Sequence, residues 1–258
     1  MEGGQIAFAA IVITLFAIGA IVAVAFHYKA ERERREAMRA LAAQMGFAFT
    51  ERDSLLDQRF RGFRDFGRGH SRTGLNLISG ETRLGGVRMR LLMGDYQYKI
   101  TTSNGKSTST TTYDMSFISV VPLLRMTEEL AVRSENFLDR LGAFVGFEDI
   151  DFESSEFSRR FHVKCSDRRF ASDLFDPRMI GYFLESAVPE IEAQRGILLF
   201  DHGTRRWDPE RFAVVLGWVD GFFARIPRHV RADRLPADER ASDPVLNPTG
   251  GDGDGGVA

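Results

Sequence analysis

The chain has 258 residues, 43% hydrophobic and 27% charged, so it is long enough to bury a core and is not disordered as a whole. Its net charge of −2 argues against a protein built mainly to hold nucleic acid, which usually shows a strong basic excess. Cys165 is the only cysteine, which excludes an internal disulfide and a cysteine-based zinc site within one chain.

The first predicted element is a membrane-spanning helix. Residues 6–26 carry no charged side chain, and a helix needs about 20 apolar residues to cross the hydrocarbon core. No Lys or Arg precedes this run, and it is too long for a signal peptide, so we expect a retained anchor over residues 1–28. The lipid bilayer is then the first partner, contacted through residues 6–26. Gly19 and Ala23 are small residues four positions apart, a spacing that would let two anchors pack as a homodimer.

The flanking charges predict the orientation of this anchor. Lys29 and four arginines follow it within a few residues, and cytoplasmic flanks carry the excess of Lys and Arg. We therefore expect a single-pass protein of the cell membrane, with its N-terminus outside and its C-terminal domain in the cytoplasm.

Residues 29–46 are predicted to continue as a juxtamembrane helix that ends near Gly46, a typical C-cap residue. Arg and Glu fill one face, and we interpret the other as a stripe that packs on the folded domain. An in-plane helix on lipid headgroups is the alternative. The residues of the stripe are Ala30, Ala37, Met38, Leu41, Ala42 and Met45.

The segment of residues 59–72 interleaves five arginines with three phenylalanines and a single acid. Near a membrane, such a segment can contact anionic headgroups or an acidic partner. Arginine interleaved with aromatics also suits single-stranded nucleic acid, although no nucleic acid is expected here. The structural alternative, which we favour, is a strand that buries its phenylalanines and solvates its arginines. The candidate anionic-ligand contacts are Arg59, Arg61, Arg64, Arg68 and Arg72.

An antiparallel meander is predicted next. Arg88 and Arg90 alternate with apolar residues, which is the period of a half-buried strand, and Asn104-Gly105 is a strong hairpin signal. Gly105-Lys106-Ser107 also looks like the end of a phosphate-binding loop, but Ile100 stands where that motif needs glycine and a β-prone run follows it. We therefore predict a hairpin tip. The predicted strands cover residues 75–80, 87–93, 96–102, 107–113 and 117–121.

The second half mixes helices and strands. A helix is predicted over Ser134–Phe144, and strands over Phe157–Val163 and Ile197–Phe200. Asp176-Pro177 and Asp208-Pro209 each indicate an N-cap followed by proline at the first helical position.

The second of these pairs precedes the most regular apolar pattern of the domain, which Pro227 closes. Trp207 lies where a hydrophobic staple to Phe212 is expected. Residues 232–258 are rich in Pro, Asp and Gly, which predicts a disordered tail. The helical apolar positions are Phe212, Val215, Leu216, Val219, Phe222, Phe223 and Ile226.

Candidate chemistry is sparse, and we assign no catalytic, cofactor-binding or metal-binding residue. Asp201-His202 follows an apolar strand, a place where catalytic groups often lie, but a turn explains the pair equally well. Cys165 lies near Lys164 and Arg168, which would lower a thiol pKa, yet a lone cysteine on a strand is more often packed.

Several short motifs resemble a group of uncharacterised bacterial membrane-anchored proteins that carry a domain of unknown function. The motifs are Asn76-Leu77-Ile78-Ser79-Gly80, Asp95-Tyr96-Gln97-Tyr98 and Phe157-Ser158-Arg159-Arg160-Phe161, and the likeness covers about residues 60–200. The resemblance implies a membrane helix followed by such a domain. It implies no activity and no functional residue.

The sequence therefore predicts an α+β domain over residues 47–231, in which an antiparallel meander is covered by helices and preceded by a single transmembrane helix. The leading functional hypothesis is a non-catalytic binding or scaffolding protein that recognises a protein partner or a lipid headgroup. A membrane-tethered hydrolase using Asp201 and His202 is the alternative. Binding of anionic lipid or nucleic acid through residues 59–72 is a further one.

Overall fold

The computed structural model of the protein describes residues 2–134 and 147–247. An antiparallel sheet of eight strands has the order β1-β2-β3-β4-β8-β7-β5-β6. The strands are β1 (Ala48–Asp53), β2 (His70–Leu84), β3 (Val87–Ser103), β4 (Thr108–Pro122), β5 (Leu130–Ser134), β6 (Phe161–Cys165), β7 (Glu190–Gln194) and β8 (Ile197–Asp201). The helices are α1 (Glu2–Met45), α2 (Leu56–Arg59), α3 (Ser155–Arg160), α4 (Arg168–Leu174), α5 (Pro177–Glu185), α6 (Pro209–Arg225), α7 (Arg228–Arg234) and α8 (Ala237–Arg240).

The predicted fold class is confirmed: the chain is an α+β protein in which β2, β3 and β4 form the expected meander. The strands are longer than predicted, because the segments expected on each side of Gly94 are one continuous strand, β3. The hairpin tip at Asn104-Gly105 is confirmed, and the Asn104 side-chain oxygen accepts the backbone N–H groups of Lys106 and Ser107 at 3.1 and 2.9 Å. The phosphate-loop alternative therefore has no structural basis.

Helix α1 is continuous from Glu2 to Met45. Among the described residues, it is the helix that is long and apolar enough to cross a membrane, and residues 14–30 are all exposed. Farther along, Met38 and Ala42 are buried against the sheet. Gly46 ends the helix with a φ of 68°, a left-handed conformation that glycine adopts without strain. Residues 29–45 are thus helical, and Met38 and Ala42 of the predicted stripe pack on the domain.

The two faces of the sheet are covered differently. Helices pack on one face, which we call the helix-covered face, and Ile118 and Phe200 belong to its core. Residues 54–69, here called the cover segment, lie on the opposite face. The cover segment consists of α2, a turn and a 3-10 helix at Asp65–Gly67, so the strand predicted to begin at residue 59 is wrong before His70. Its phenylalanines are nevertheless buried as predicted: Phe60, Phe63 and Phe66 pack on Tyr96 and Phe117.

Two predictions for the second half need correction. The strand expected over Phe157–Val163 begins only at Phe161, because the Ser154 side chain accepts the Phe157 N–H and caps the short helix α3. In the helix expected over Ser134–Phe144, Ser134 is instead the last residue of β5, and residues 135–144 lie outside the described residues. The strand at Ile197–Phe200 is confirmed as part of β8.

The tail predicted to be disordered from residue 232 is folded as far as residue 247, and residues 248–258 lie outside the described range. Helices α7 and α8 occupy its start, and Leu235 is buried. An ion pair between Arg231 and Asp243, both almost fully buried, attaches this segment to the domain. Composition alone missed it because the partners are twelve residues apart and the intervening sequence is polar.

The helix-start predictions are confirmed. The Asp176 side chain accepts the Met179 N–H at 2.8 Å at the start of α5. Helix α6 begins at Pro209 directly after Asp208, although there the aspartate side chain makes no capping hydrogen bond. The rings of Trp207 and Phe212 lie 5.1 Å apart, as expected of the hydrophobic staple.

Candidate functional site

The candidate site is the junction between the apolar helix and the sheet, and Asp95 is at its centre. A bulge in β2 places Asp95 there: the pairing with β3 shifts between Leu75 and Ile78, and Asn76 adopts a φ of 52°. The carboxylate of Asp95 is completely buried. Arg34 of α1 donates to both its oxygens, at 2.7 and 2.6 Å, a bidentate pairing that fixes both position and orientation.

A second arginine completes this junction. Arg206 donates from Nε to Asp95 Oδ2 at 3.3 Å and from Nη2 to Glu31 Oε2 at 2.7 Å. The hydrogen bond from Arg206 is the main reason that the pKa of Glu31 lies below its ordinary value. Two cations and two carboxylates thus neutralise each other at the point where α1 meets the domain.

Neutral groups close the network. The Ser116 hydroxyl donates to Asp95 Oδ1 at 2.6 Å and accepts the Trp207 N–H at 2.9 Å. The Trp207 carbonyl in turn accepts from Arg34 Nη1 at 2.6 Å. Helix α1, strands β3 and β4 and the loop before α6 are therefore joined through one set of hydrogen bonds.

A cavity of about 420 Å³ opens beside this network. Glu33 and Asp208 add exposed carboxylates to it, while Trp207 and Pro209 contribute apolar surface. Its mixture of charged and apolar groups suits a binding surface. The lining residues are Ala30, Glu31, Glu33, Arg34, Ala37, Arg206, Trp207, Asp208 and Pro209.

A second charged cluster lies buried on the opposite face, under the cover segment. Arg133 of β5 contacts Glu190 of β7, and its Nη2 donates to Glu192 Oε2 at 3.2 Å. Arg64 reaches the same carboxylates: its Nη2 lies 3.5 Å from Glu190 Oε2, and its backbone N–H donates to Glu192 Oε1 at 3.3 Å. These contacts attach the cover segment to the sheet.

Carboxylates outnumber the fully buried cations in this cluster. Burial raises the pKa of Glu192 to about 7, against the opposing charge of Arg133. Burial also raises the pKa of Asp201, the next carboxyl along the sheet, while Arg133 again opposes the shift. For Asp65 burial is again the largest influence and acts in the same direction, but the hydrogen bond from Arg64 and the charges of Arg64, Arg133 and Arg68 together outweigh it, so the pKa of Asp65 is lowered. At neutral pH Glu192 is therefore partly protonated, whereas an exposed glutamate would be fully ionised.

The five arginines proposed as anionic-ligand contacts are distributed along the cover segment and the start of β2. Arg64 is largely buried and paired with Asp65 and Glu190. Each of three others has a carboxylate partner: Arg59 with Asp53 at 2.9 Å, Arg68 with Asp65 at 3.4 Å and Arg72 with Asp57 at 3.3 Å. The Arg61 side chain is exposed. Contact of this segment with an anionic ligand stays a prediction.

The residues considered for catalysis are not brought together. Asp201 faces the buried cluster, where its Oδ1 accepts the Gly203 N–H at 2.6 Å. The His202 ring instead lies against Trp207 on the other side, at 5.3 Å between centroids. Burial, helped by Arg211 and Arg205, lowers the pKa of His202 to about 4, so the ring is neutral at pH 7.

Cys165 is buried in β6, and burial raises the pKa of its thiol, the opposite of the activated thiol considered from the sequence. Within residues 2–134 and 147–247, no group of three or more His, Cys, Asp or Glu side chains is placed to hold a metal ion.

Comparison with known proteins gives a similarity of fold. No protein-family model matches the chain, and no curated protein matches it. A crystal structure of the mycobacterial trehalose monomycolate transport factor A, TtfA, superposes with a TM-score of 0.51 over 79% of this chain and 97% of that chain. The two chains share a fold. At 10% sequence identity, the similarity carries no further conclusion about activity.

The sequence pattern singled out Arg64 and Asp201, for other roles, but it did not indicate the remaining residues of the two charged networks. The Asp95-Tyr96-Gln97-Tyr98 motif could have marked Asp95 as a candidate site residue. Nothing in the local sequence identifies Arg34 and Arg206 as its partners. Glu190 and Glu192 alternate with apolar residues, a pattern that usually indicates a solvent-exposed strand face. Burial by the distant cover segment makes that interpretation wrong.

Proposed function

We propose that this protein is a membrane-anchored, non-catalytic binding or scaffolding protein whose domain is held at a fixed position next to the bilayer. The observation that carries the proposal is the continuity of α1. Its exposed apolar half runs without a break into the half that Asp95 and Arg206 fix to the sheet. Such a coupling serves a domain that must present one surface at a defined distance from the membrane.

The fold similarity supports a binding role. TtfA is named as a transport factor for trehalose monomycolate, a role that is compatible with binding rather than catalysis. We accordingly propose that the partner is a membrane protein engaged in transport. The junction, with its cavity, is the surface proposed to meet it.

The proposed orientation places the domain in the cytoplasm, because basic residues crowd the domain side of the apolar helix. C-terminal fusions to alkaline phosphatase and to a fluorescent protein test this. We expect fluorescence and no phosphatase activity, since the phosphatase works only after export. Phosphatase activity would overturn the orientation and leave the anchoring proposal in place.

Site-specific photo-crosslinking in cells tests the binding role. The crosslinking amino acid replaces Glu33 or Asp208, two exposed positions at the cavity, in the full-length protein. Ala237, exposed on the distant helix α8, is the matched control position, and an anchor made of residues 1–28 alone is the second control. We expect a discrete adduct with a membrane protein from the two cavity positions and none from Ala237 or the anchor.

Equal adducts from all positions would contradict the proposed surface. A hydrolytic activity of the purified protein that His202→Ala abolishes would contradict the non-catalytic role itself. His202→Ala that leaves the crosslinks unchanged and reveals no activity is the result that the proposal expects.

A further inference from the structure

The β3–β4 hairpin extends beyond the rest of the sheet. Strand β2 pairs with β3 only as far as Lys99, and β8 pairs with β4 only from Phe117 onward. Beyond these limits, toward the tip, β3 and β4 pair only with each other, as far as Ser103 and Thr108. Residues 101–112 are all exposed.

The hairpin points in the same direction as the apolar half of α1. At the C-terminal end of α1, Phe47 packs against Gly80, which is paired with Leu91 of β3. Thirteen residues earlier in the chain, Arg34 contacts Asp95, which is farther along β3 toward the tip. Moving along α1 toward its N-terminus therefore means moving along β3 toward the hairpin.

The lengths bring the tip to the level of the bilayer surface. From Arg34 back to Phe26, the end of the apolar run, α1 rises about 12 Å. From Asp95 to Asn104 the chain extends about 30 Å, so the tip rises more than about 12 Å along the helix axis at any inclination below about 65°. The tip therefore reaches at least as far as the end of the apolar run.

The chemistry of the hairpin suits a headgroup layer and not the hydrocarbon. Between Tyr96 and Tyr113 it contains Lys99 and Lys106, many Ser and Thr residues and no acid. An isolated two-stranded hairpin is only marginally stable in water. Contact with a surface would therefore stabilise this one. Basic residues near an anionic leaflet are attracted to it.

We propose that the tip of the β3–β4 hairpin, residues 101–112, docks on anionic lipid headgroups beside the membrane helix. The inference rests on the proposed membrane anchoring and adds a second, peripheral contact with the bilayer. Together the two contacts would fix the rotation of the domain about the axis of α1, which a single helix leaves free.

Fluorescence quenching in vesicles tests the docking. Full-length protein with Cys165→Ala carries one environment-sensitive fluorophore at Thr108→Cys, or at Ala237→Cys as the distant exposed control. It is reconstituted in phosphatidylcholine with or without phosphatidylglycerol. We expect a headgroup-attached quencher to quench the label at residue 108 several-fold more than that at residue 237. The difference should grow with phosphatidylglycerol and shrink with Lys106→Glu.

A third label, at Ala25→Cys, separates this proposal from the anchoring on which it rests. If a quencher in the acyl chain quenches residue 25 while residues 108 and 237 respond equally to the headgroup quencher, the hairpin proposal is overturned and anchoring stands. An unquenched label at residue 25 would overturn both. A difference between residues 108 and 237 that ignores phosphatidylglycerol and Lys106→Glu would contradict the anionic preference.

Discussion

The buried carboxylate of Asp95 shows how a single residue determines the relation between a helix and a sheet. Two arginines from distant parts of the chain donate hydrogen bonds to it, and the Ser116 hydroxyl donates another. Removing one charge from a buried, hydrogen-bonded pair leaves the other uncompensated, and that penalty exceeds the net strength of the original pair.

We expect Asp95→Asn to lower the free energy of unfolding by about 3 kcal/mol, because Arg34 and Arg206 lose their shared anion. Urea unfolding of the full-length protein in micelles, followed by tryptophan fluorescence, measures the change. Asp114→Asn is the matched control, since the Asp114 carboxylate is only half-buried and accepts from Gln97 at 2.9 Å; its loss should stay near about 1 kcal/mol. Equal losses in the two variants would contradict the central role of Asp95.

Glu192 gives the buried cluster a pH dependence with a definite sign. Its pKa is about 7 in the folded protein against an ordinary value of 4.5 in the unfolded chain, so between these values the folded protein binds more protons than the unfolded chain. The contribution of Glu192 to stability is therefore full below pH 4.5 and is lost as the pH rises toward 7.

We expect Glu192→Gln to remove a fall of about 2 kcal/mol from the free energy of unfolding between about pH 5 and pH 8, a range in which the lowered pKa of His202 contributes an opposing rise. Urea unfolding at several pH values measures both slopes. The exposed Glu156→Gln serves as control and should leave the slope unchanged. If the free energy of unfolding changes with pH in the same way in the protein and in its Glu192→Gln variant, the pKa of Glu192 is not raised by folding.

At the scale of elements, the sequence predicted what local patterns encode. The alternation around Arg88, the Asn104-Gly105 turn and the proline-marked start of α6 each determine structure through nearby residues, and all three are confirmed. For the cover segment, the burial of the phenylalanines was predicted but the secondary structure was not. Its phenylalanines show that it is buried, but nothing local shows that it packs as short helical turns across the sheet.

The charged networks could not be predicted for a related reason. Arg64 and Glu190 are 126 residues apart in the sequence, and Arg34 and Asp95 are 61 apart. Each side chain looks like an ordinary surface charge until the fold buries it. A single sequence carries no information on pairing at such distances.

The cover segment should depend on its phenylalanines. Phe63 is buried among Phe60 and its neighbours, so Phe63→Ala should lower the free energy of unfolding by about 3–5 kcal/mol. Leu55→Ala, at an exposed position of the same segment, should change it by at most about 0.5 kcal/mol. Urea unfolding measures the change in the free energy of unfolding for both variants. A small effect at Phe63 would mean that the segment is not part of the core.

At the scale of the whole molecule, the fold joins a long helix, exposed over residues 14–30, to a sheet whose faces carry different cores. The helix-covered face binds α1 through Asp95 and Arg206, and the opposite face binds the cover segment through Arg64 and Arg133. Both attachments use charged hydrogen bonds, whose geometry is directional. We infer that the candidate membrane helix and the domain form one rigid unit.

The distance between spin labels at Ala25→Cys and Ala237→Cys, in the Cys165→Ala protein reconstituted in lipid nanodiscs, tests that claim most directly. We predict a single narrow distance distribution, which Arg34→Gln broadens because α1 loses its bidentate contact with Asp95. Arg32→Gln, which alters only an exposed pair with Glu36, should leave the distribution narrow. A broad distribution in the protein with native Arg34, unchanged by Arg34→Gln, would contradict the account.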